Sequence, residues 1–123
     1  GSYKCKDSIA SKLIKDPMSD NDSVGYKAPK IASGEATVMQ YIQHTLQFPR
    51  RAREEAIQGK VHLQFIVRKD GSIDNCTIIK GAHVILDKES LRAIRELRFS
   101  NPATLNGEPQ SFCAYMPINF KIQ

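Results

Sequence analysis

The carboxy-terminal end of the chain alternates apolar residues with other residues from position 112 to position 122. The apolar members of the pattern are Phe112, Ala114, Met116, Ile118, Phe120 and Ile122. A period of two is typical of a strand that buries one face. Pro117 interrupts the pattern, and a proline within a sheet is confined to an edge strand, a strand start or a bulge because it has no N–H to donate. We therefore predict a long edge strand that carries little charge and can pair with a strand of another chain.

The length and composition favour a single domain with its own core. A chain of 123 residues is long enough to bury a core without metal ions or disulfide bonds. No apolar run approaches the ~20 residues of a membrane span, and the chain does not open with a signal peptide. The net charge of +5 comes from Lys and Arg interspersed with Asp and Glu. This distribution indicates a solvated surface rather than a nucleic-acid-binding stripe.

No cluster of chemically active residues stands out in the sequence. Cys5, Cys76 and Cys113 form no CxxC motif and have no His at metal-ligand spacing, so we expect no metal site. An odd number of cysteines also cannot pair completely within one chain. The sequence has no Ser/His/Asp or Cys/His signature and no phosphate-binding glycine loop. We therefore expect neither an enzyme nor a protein that binds a cofactor.

The first 33 residues differ in character from the rest of the chain. They are polar, and their breakers are Asp16-Pro17, the run over residues 19–23, Gly25 and Pro29. This composition is typical of an extension or of the end of a linker. A short amphipathic helix is predicted over residues 8–15. Residues 34–123 contain the regular patterns and are predicted to form the domain proper.

Three helices are predicted within residues 34–123. The first is capped by Ser33 and has an apolar face between residues 38 and 46. The second begins at Pro49 and ends at Gly59. The third is capped by Asp87, ends at Asn101-Pro102 and directs three apolar side chains toward the sheet, namely Leu91, Ile94 and Leu97.

Three strands complete the predicted domain. Residues 60–68 alternate apolar and polar side chains, and Asp70-Gly71 is typical of a two-residue type I′ hairpin turn. Residues 72–80 then return antiparallel, with an irregular pattern that indicates either a bulge or a strand covered on both faces. Asn106-Gly107 marks a second turn before the last strand.

The order helix, helix, strand, strand, helix, strand constrains the topology. The third helix returns the chain, so the sheet is antiparallel throughout only in the strand order 2-1-3. This order places the Pro117 strand at an edge, in agreement with the proline. The predicted fold class is α+β, a three-stranded antiparallel sheet packed against helices. Cys76 and Cys113 then lie on the two outer strands, about 10 Å apart, which is too far for a disulfide bond.

Short motifs follow one another in a recognisable order along residues 34–123. They are Gly34-Glu35-Ala36, Phe48-Pro49, Ile57-Gln58-Gly59-Lys60-Val61, Lys69-Asp70-Gly71-Ser72-Ile73, Leu97-Arg98-Phe99, Asn106-Gly107 and Pro117-Ile118-Asn119-Phe120. This series resembles the C-terminal domain of TonB, the periplasmic energy transducer of Gram-negative bacteria. One position departs from the family pattern, because Leu97 stands where the family commonly has Trp before Arg-Phe.

The resemblance implies a docking function in the periplasm. Such proteins are anchored to the inner membrane by an N-terminal segment, absent from this sequence, and are driven by the ExbB–ExbD proton-motive complex. Their C-terminal domain captures the TonB box of TonB-dependent outer-membrane transporters, which adds a strand to the last strand of the sheet and couples the proton-motive force to nutrient uptake. The partner-binding residues implied for this chain are Gln47, Phe48, Ser111, Phe112, Cys113, Ala114, Tyr115 and Met116. Because Pro117 interrupts pairing, contact is expected to concentrate before it.

Two alternatives remain open from the sequence. In the first, the domain is an interaction module of a membrane sensor or signalling protein and takes no part in transport. In the second, it is a homodimeric domain in which strands pair between copies. The neighbouring N-terminal segment can also cover the edge strand of its own chain, with Pro117 protecting the edge from aggregation.

Overall fold

The computed structural model describes residues 16–122. A short 3-10 helix (Asp22–Val24) precedes three α-helices, which are α1 (Val38–Thr45), α2 (Arg50–Glu54) and α3 (Val84–Arg95). The strands are β1 (Tyr26–Lys27), β2 (Lys30–Ile31), β3 (Gly59–Val67), β4 (Ile73–Lys80), β5 (Phe99–Asn101), β6 (Ala103–Leu105), β7 (Glu108–Gln110) and β8 (Phe112–Phe120). Within these residues no helix is long and apolar enough to cross a membrane. The amphipathic helix predicted over residues 8–15 lies outside the described residues.

The main sheet has three antiparallel strands in the order β4-β3-β8. This is the predicted 2-1-3 order, and the α+β fold class is confirmed. The pairing of β3 with β8 is continuous over nine residue pairs, from Gly59 with Phe120 to Val67 with Phe112. Such an unbroken register places every even-numbered side chain of β8 on one face of the sheet.

That face of the sheet forms the floor of the hydrophobic core. β3 contributes Val61, Leu63, Phe65 and Val67, and β8 contributes Phe112, Met116, Ile118 and Phe120, all buried. Helices α1 and α3 cover this floor and are joined by a hydrogen bond from the hydroxyl of Tyr41 to the carbonyl of Ala93. The period of two in the sequence therefore identified the buried face of β8 correctly.

The β3–β4 hairpin turns differently from the prediction. Gly71 has a φ of 86°, but Asp70 is not among the residues with positive φ, so the turn is not of type I′. The N–H of Gly71 donates to the carbonyl of Arg68, and the N–H of Arg68 donates to the carbonyl of Ser72. This is a three-residue loop that ends in a left-handed glycine. The type I′ turn occurs instead at Asn106-Gly107, where both residues have positive φ between β6 and β7.

The irregular pattern of the return strand corresponds to bulges in β4. Ile66 pairs with Asp74 and Gln64 pairs with Thr77, so β4 contains one more residue than β3 between these two pairs. Asn75 lies within the bulge with a φ of 49°. A second shift follows between His62 and Leu63. Bulges twist an exposed edge and make it a poorer template for another strand.

Four helix boundaries differ from the predictions, and at the two N-termini the reason is that another nearby residue caps the first amides. Thr37, not Ser33, caps α1 by accepting from the N–H of Gln40. His83, not Asp87, caps α3 by accepting from the N–H of Ile85, while Asp87 accepts from the N–H of Ala82. Helix α2 ends at Glu54 rather than near Gly59, and α3 ends at Arg95 before strand β5 begins.

Part of the polar N-terminal stretch packs on the domain. β1 pairs with β6 and β2 pairs with β5, both antiparallel. Tyr26 and Ile31 are buried in the same core cluster as the sheet and helices, and the hydroxyl of Tyr26 donates to the carbonyl of Pro17. Desolvation by burial, reinforced by the nearby charge of Asp16, raises the pKa of Tyr26 to about 12. These two-residue strands are too short to show a period in the sequence, and they were not predicted.

Candidate docking edge

Strand β8 occupies one edge of the main sheet. It pairs with β3 on one side, and within residues 16–122 no further strand of that sheet pairs on the other. Its length of nine residues corresponds to about 30 Å of extended backbone. The opposite edge, β4, is bulged at two places. Of the two edges, β8 is the one with the regular backbone that strand addition requires.

The backbone direction along β8 follows from the hairpin. The N–H of Arg68 donates to Ser72 on the β4 side, so even-numbered residues of β3 direct their backbone groups toward β4 and odd-numbered residues direct theirs toward β8. In the observed register, odd residues of β3 pair with even residues of β8. The odd residues of β8 therefore direct their N–H and C=O groups away from β3. Pro117 is one of them, so its missing N–H costs the sheet no hydrogen bond.

The structure brings together the six predicted site residues that precede Pro117. Ser111 leads into β8, Phe112 and Met116 are buried on the core face, and Ala114 is half-buried on the same face. Tyr115 lies on the opposite face with 58% of its surface exposed. Its hydroxyl lies 2.5 Å from Nδ1 of His62 on the neighbouring strand, which fixes the direction of the phenol ring across the sheet.

Cysteine chemistry distinguishes the two outer strands of the sheet. Cys113 is disulfide-bonded, whereas Cys76 on β4 has a free thiol. The expectation that these two cysteines are not joined to each other is therefore confirmed. Cys76 is half-buried, and desolvation raises the pKa of its thiol despite the nearby positive charge of Arg95. Cys5 lies outside the described residues.

Gln47 and Phe48 lie at the other end of β8 from the six residues around Cys113. Phe48 packs edge-on against Phe120, with ring centroids 5.9 Å apart. The guanidinium carbon of Arg53 lies over the Phe48 ring, 5.3 Å from its centroid. Because Met116, the last of the six, lies four residues before Phe120, about 13 Å of strand divides the two groups where they are nearest. The structure thus does not bring Gln47 and Phe48 beside the predicted pairing segment.

Gln47 belongs to a polar cluster that connects α1 to α3. Its backbone N–H donates to Oε2 of Glu89 at 2.6 Å. Arg92 donates to both carboxylate oxygens of Glu89, at 2.7 Å each, and also to the carbonyl of Thr45 at the end of α1. The hydrogen bonds to Glu89 raise the pKa of Arg92 further above its usual value. This cluster holds the carboxy-terminal end of α1 in place.

A trough runs beside the outer edge of β8, and its first compartment lies before Pro117. The compartment has a volume of about 510 Å³. Consecutive residues 112–116 line one side, and the start of α1, with Val38 and Met39, lines the other, while Phe65 contributes from β3. Residues 16–19 close one end. Consecutive residues of β8 belong to alternate faces of the sheet, so a compartment lined by all of residues 112–116 opens along the edge of the strand.

The second compartment of the trough lies after Pro117 and was not predicted from the sequence. Its volume is about 520 Å³, and residues 117–121 form its strand side. Ile42 of α1, Leu46 just after the helix and the ring of Phe48 form its apolar wall. Met39 lines both compartments, and 43% of its surface is exposed. In the sequence, only the outward helix position of Met39 could have indicated this compartment, and the period of α1 does not distinguish Met39 from an ordinary surface residue.

The trough has unequal charges at its two ends. Asp16, at the first compartment, is already engaged, since its carboxylate accepts from the N–H of Met18 and the hydroxyl of Ser19. Lys121, at the second compartment, forms none of the ion pairs found among residues 16–122. The same residues contain no group of His, Cys, Asp and Glu arranged to hold a metal ion.

Comparison with known proteins agrees with this architecture. The family model for the Gram-negative bacterial TonB protein C-terminal region matches residues 44–122. The chain belongs to the TonB C-terminal domain family. The matched residues include α2, α3, the whole main sheet and the strand side of both compartments, whereas the α1 wall, with Met39 and Ile42, lies before them. Domains of this family are periplasmic. A search of curated proteins finds no match.

Solved structures of TonB C-terminal domains have the same fold. The chain is similar to a Helicobacter pylori TonB C-terminal domain, with 21% identity, a TM-score of 0.56 and coverage of 70% of this chain and 78% of that one. It is also similar to the Pseudomonas aeruginosa domain, with 26% identity, a TM-score of 0.53 and coverage of 63% and 78%. A shorter Helicobacter pylori fragment aligns at 22% identity with a TM-score of 0.52, over 68% and 88% of the two chains. The family resemblance noted in the sequence is thereby confirmed.

Proposed function

We propose that this domain docks an extended segment of TonB-dependent outer-membrane transporters by strand addition to β8, as the periplasmic part of an energy transducer. In this role the protein is anchored to the inner membrane, works with ExbB and ExbD and transmits the proton-motive force to nutrient uptake. The observation that carries the proposal is the regular outer edge of β8, bordered by an open apolar trough. Membership of the TonB family supplies the class of partner.

The backbone of β8 offers an incomplete but sufficient row of hydrogen-bonding groups. By the alternation described above, Tyr115 and Asn119 each offer an N–H and a C=O to an added strand, and Pro117 offers its C=O alone. Each net hydrogen bond contributes about 0.5–1.5 kcal/mol, and ordering the peptide costs several kcal/mol. Burial of side chains in the trough must supply the rest, so we expect a micromolar dissociation constant rather than a nanomolar one.

Backbone recognition also suits a shared adaptor. Main-chain hydrogen bonds read the extended shape of a segment more than its side chains, so one domain can serve several transporters. A pull along the strand direction loads these hydrogen bonds together, which allows a weak complex to bear force for a short time. A homodimer through β8 would use the same edge and would therefore compete with docking.

The test is a titration of the isotope-labelled domain with short peptides from the periplasmic N-termini of candidate transporters, followed by backbone amide shifts. We expect the largest shifts at Tyr115 and Asn119, with smaller shifts along β3. Substitution Tyr115→Pro removes one outward N–H and is expected to weaken binding at least tenfold. The matched control Tyr115→Ala keeps that N–H and loses the same ring and contact with His62, so its effect should be clearly smaller.

Two results would contradict the proposal. Shifts confined to helices α1 and α3 would place the peptide away from the strand edge. Equal affinities of Tyr115→Pro and Tyr115→Ala, with both variants folded, would show that the outward backbone of β8 takes no part in binding.

A further inference from the structure

The two compartments of the trough have a spacing that selects the side chains of a docked segment. Ala114 lies at the middle of the strand side of the first compartment, and Ile118 lies in the second. Four residues of strand separate them, which is about 13 Å. In an added strand, side chains two residues apart point to the same face, so positions i and i+4 meet the two compartments in turn.

Met39 decides what can occupy the position between them. It lines both compartments, so its side chain lies between the two, and a residue at i+2 of the docked segment must pass over it. A large side chain at i+2 collides with Met39 or forces it out of its packing, whereas Gly, Ala or Ser leaves it undisturbed. The apolar walls on either side, Val38 and Phe65 in one compartment and Leu46 in the other, favour aliphatic or aromatic side chains at i and i+4.

Charge defines the end of the segment beyond the second compartment. Lys121 lines that compartment and is exposed, with no ion pair to a carboxylate among residues 16–122. At the opposite end, Asp16 is occupied by its own loop. Among the described residues that line the two compartments, Lys121 is the one cation, so an acidic residue of the docked segment pairs favourably at the Lys121 end.

We propose that the segment docked on β8 carries apolar side chains at positions i and i+4, a small residue at i+2 and an acidic residue at the Lys121 end. This inference rests on the proposed docking at β8 and adds the side-chain pattern of the partner. It makes Met39 a specificity-determining residue, because the backbone hydrogen bonds alone accept any extended sequence.

A synthetic peptide series tests the pattern without a known partner. The reference is a palindromic nine-residue peptide with Leu at its third and seventh positions, Ala at its fifth, Glu at both ends and Thr elsewhere, so that it presents the same pattern in either direction. One comparison peptide replaces both Leu residues by Ala, and a second replaces the central Ala by Leu. A third replaces both Glu residues by Gln. Binding is measured by calorimetry, and the site is identified by amide shifts at Tyr115 and Asn119.

The reference peptide is expected to bind about tenfold tighter per buried Leu than the peptide in which both Leu residues are replaced by Ala. The peptide with a central Leu should bind about tenfold more weakly than the reference, and Met39→Ala should remove that difference. Met39 is partly exposed, so this variant should fold normally. Lys121→Gln should weaken the reference several-fold and leave the Gln-ended peptide unchanged.

The outcomes separate the pattern from the docking itself. Equal affinity of all four peptides, with amide shifts still along β8, would overturn the pattern and leave strand addition intact. A penalty for central Leu that persists in Met39→Ala would overturn the role of Met39. Failure of every peptide to shift Tyr115 and Asn119, when transporter peptides also fail, would overturn the proposed function together with this inference.

Discussion

The polar cluster between α1 and α3 permits a quantitative prediction about the wall of the trough. The perturbation is Glu89→Ala, which removes the acceptor of two hydrogen bonds from Arg92 and one from the backbone N–H of Gln47. The Glu89 side chain is only 11% exposed, whereas that of Arg92 is 38% exposed. These bonds involve charged groups, whose net contributions are about 1.5–3 kcal/mol each where they are well buried.

The expected magnitude is smaller than the sum of these contributions. Water reaches Arg92 and the exposed backbone of Gln47 once Glu89 is gone, and Arg92 keeps its bonds to Thr45 and Glu96. We therefore expect Glu89→Ala to lower the free energy of unfolding by about 2 kcal/mol. The matched control is Glu96→Ala, which removes a bridge to the same Arg92 from a side chain that is 59% exposed. Its cost should be at most about 0.5 kcal/mol.

The assay is urea unfolding of both variants, with amide spectra of the folded proteins. We expect Glu89→Ala to move the amide signals at the end of α1, from Thr45 to Gln47, and to weaken peptide binding in the second compartment because Leu46 forms part of its wall. Equal stability losses for Glu89→Ala and Glu96→Ala would refute the reasoning, since they would show that burial of the carboxylate does not determine its contribution.

Two further predictions concern the glycine turns and the free thiol. Gly71 and Gly107 have similar φ values of 86° and 85°, but an added Cβ meets the carbonyl oxygen of Phe99 only at Gly71. In thermal or urea unfolding, Gly107→Ala should cost about 1 kcal/mol, from backbone strain alone, and Gly71→Ala about 2–3 kcal/mol or more; equal costs would contradict the role assigned to the Phe99 contact. Burial raises the pKa of the Cys76 thiol, so less thiolate is present at neutral pH. Iodoacetamide should therefore alkylate Cys76 at least tenfold more slowly than it alkylates glutathione. The rate at Cys76 should still increase at pH values where the rate of an ordinary thiol has levelled off. Alkylation as fast as that of glutathione in the folded protein would contradict this placement.

Local sequence patterns were reliable where one physical constraint dominates. The alternation over residues 112–122 follows from the burial of one strand face, and Pro117 admits only a position that needs no N–H. Together with the element order they led to the observed β4-β3-β8 sheet. Asn106-Gly107 was also recognised as a turn, since both residues tolerate positive φ.

Local patterns failed where several residues compete for the same role. Ser33 and Thr37 are both good caps, and the choice of Thr37 depends on where the preceding segment pairs with β5. Asp70-Gly71 has the composition of a type I′ turn, but the carbonyl of Gly71 also accepts a hydrogen bond from the N–H of Phe99. The loop contains three residues instead of two. The short strands β1 and β2 have too few residues to produce a period.

The chain by itself determined that β8 lies at an edge and which of its faces is buried, because a strand's period and a proline's missing N–H are properties of consecutive residues. Only the tertiary structure decided what borders that edge. Helix α1 lies some seventy positions before β8 in the chain, and its Met39 reaches the strand only because the core packs α1 across the sheet. The distance between Phe48 and Ser111, and the two compartments beside Pro117, arise from that packing, which no local pattern contains.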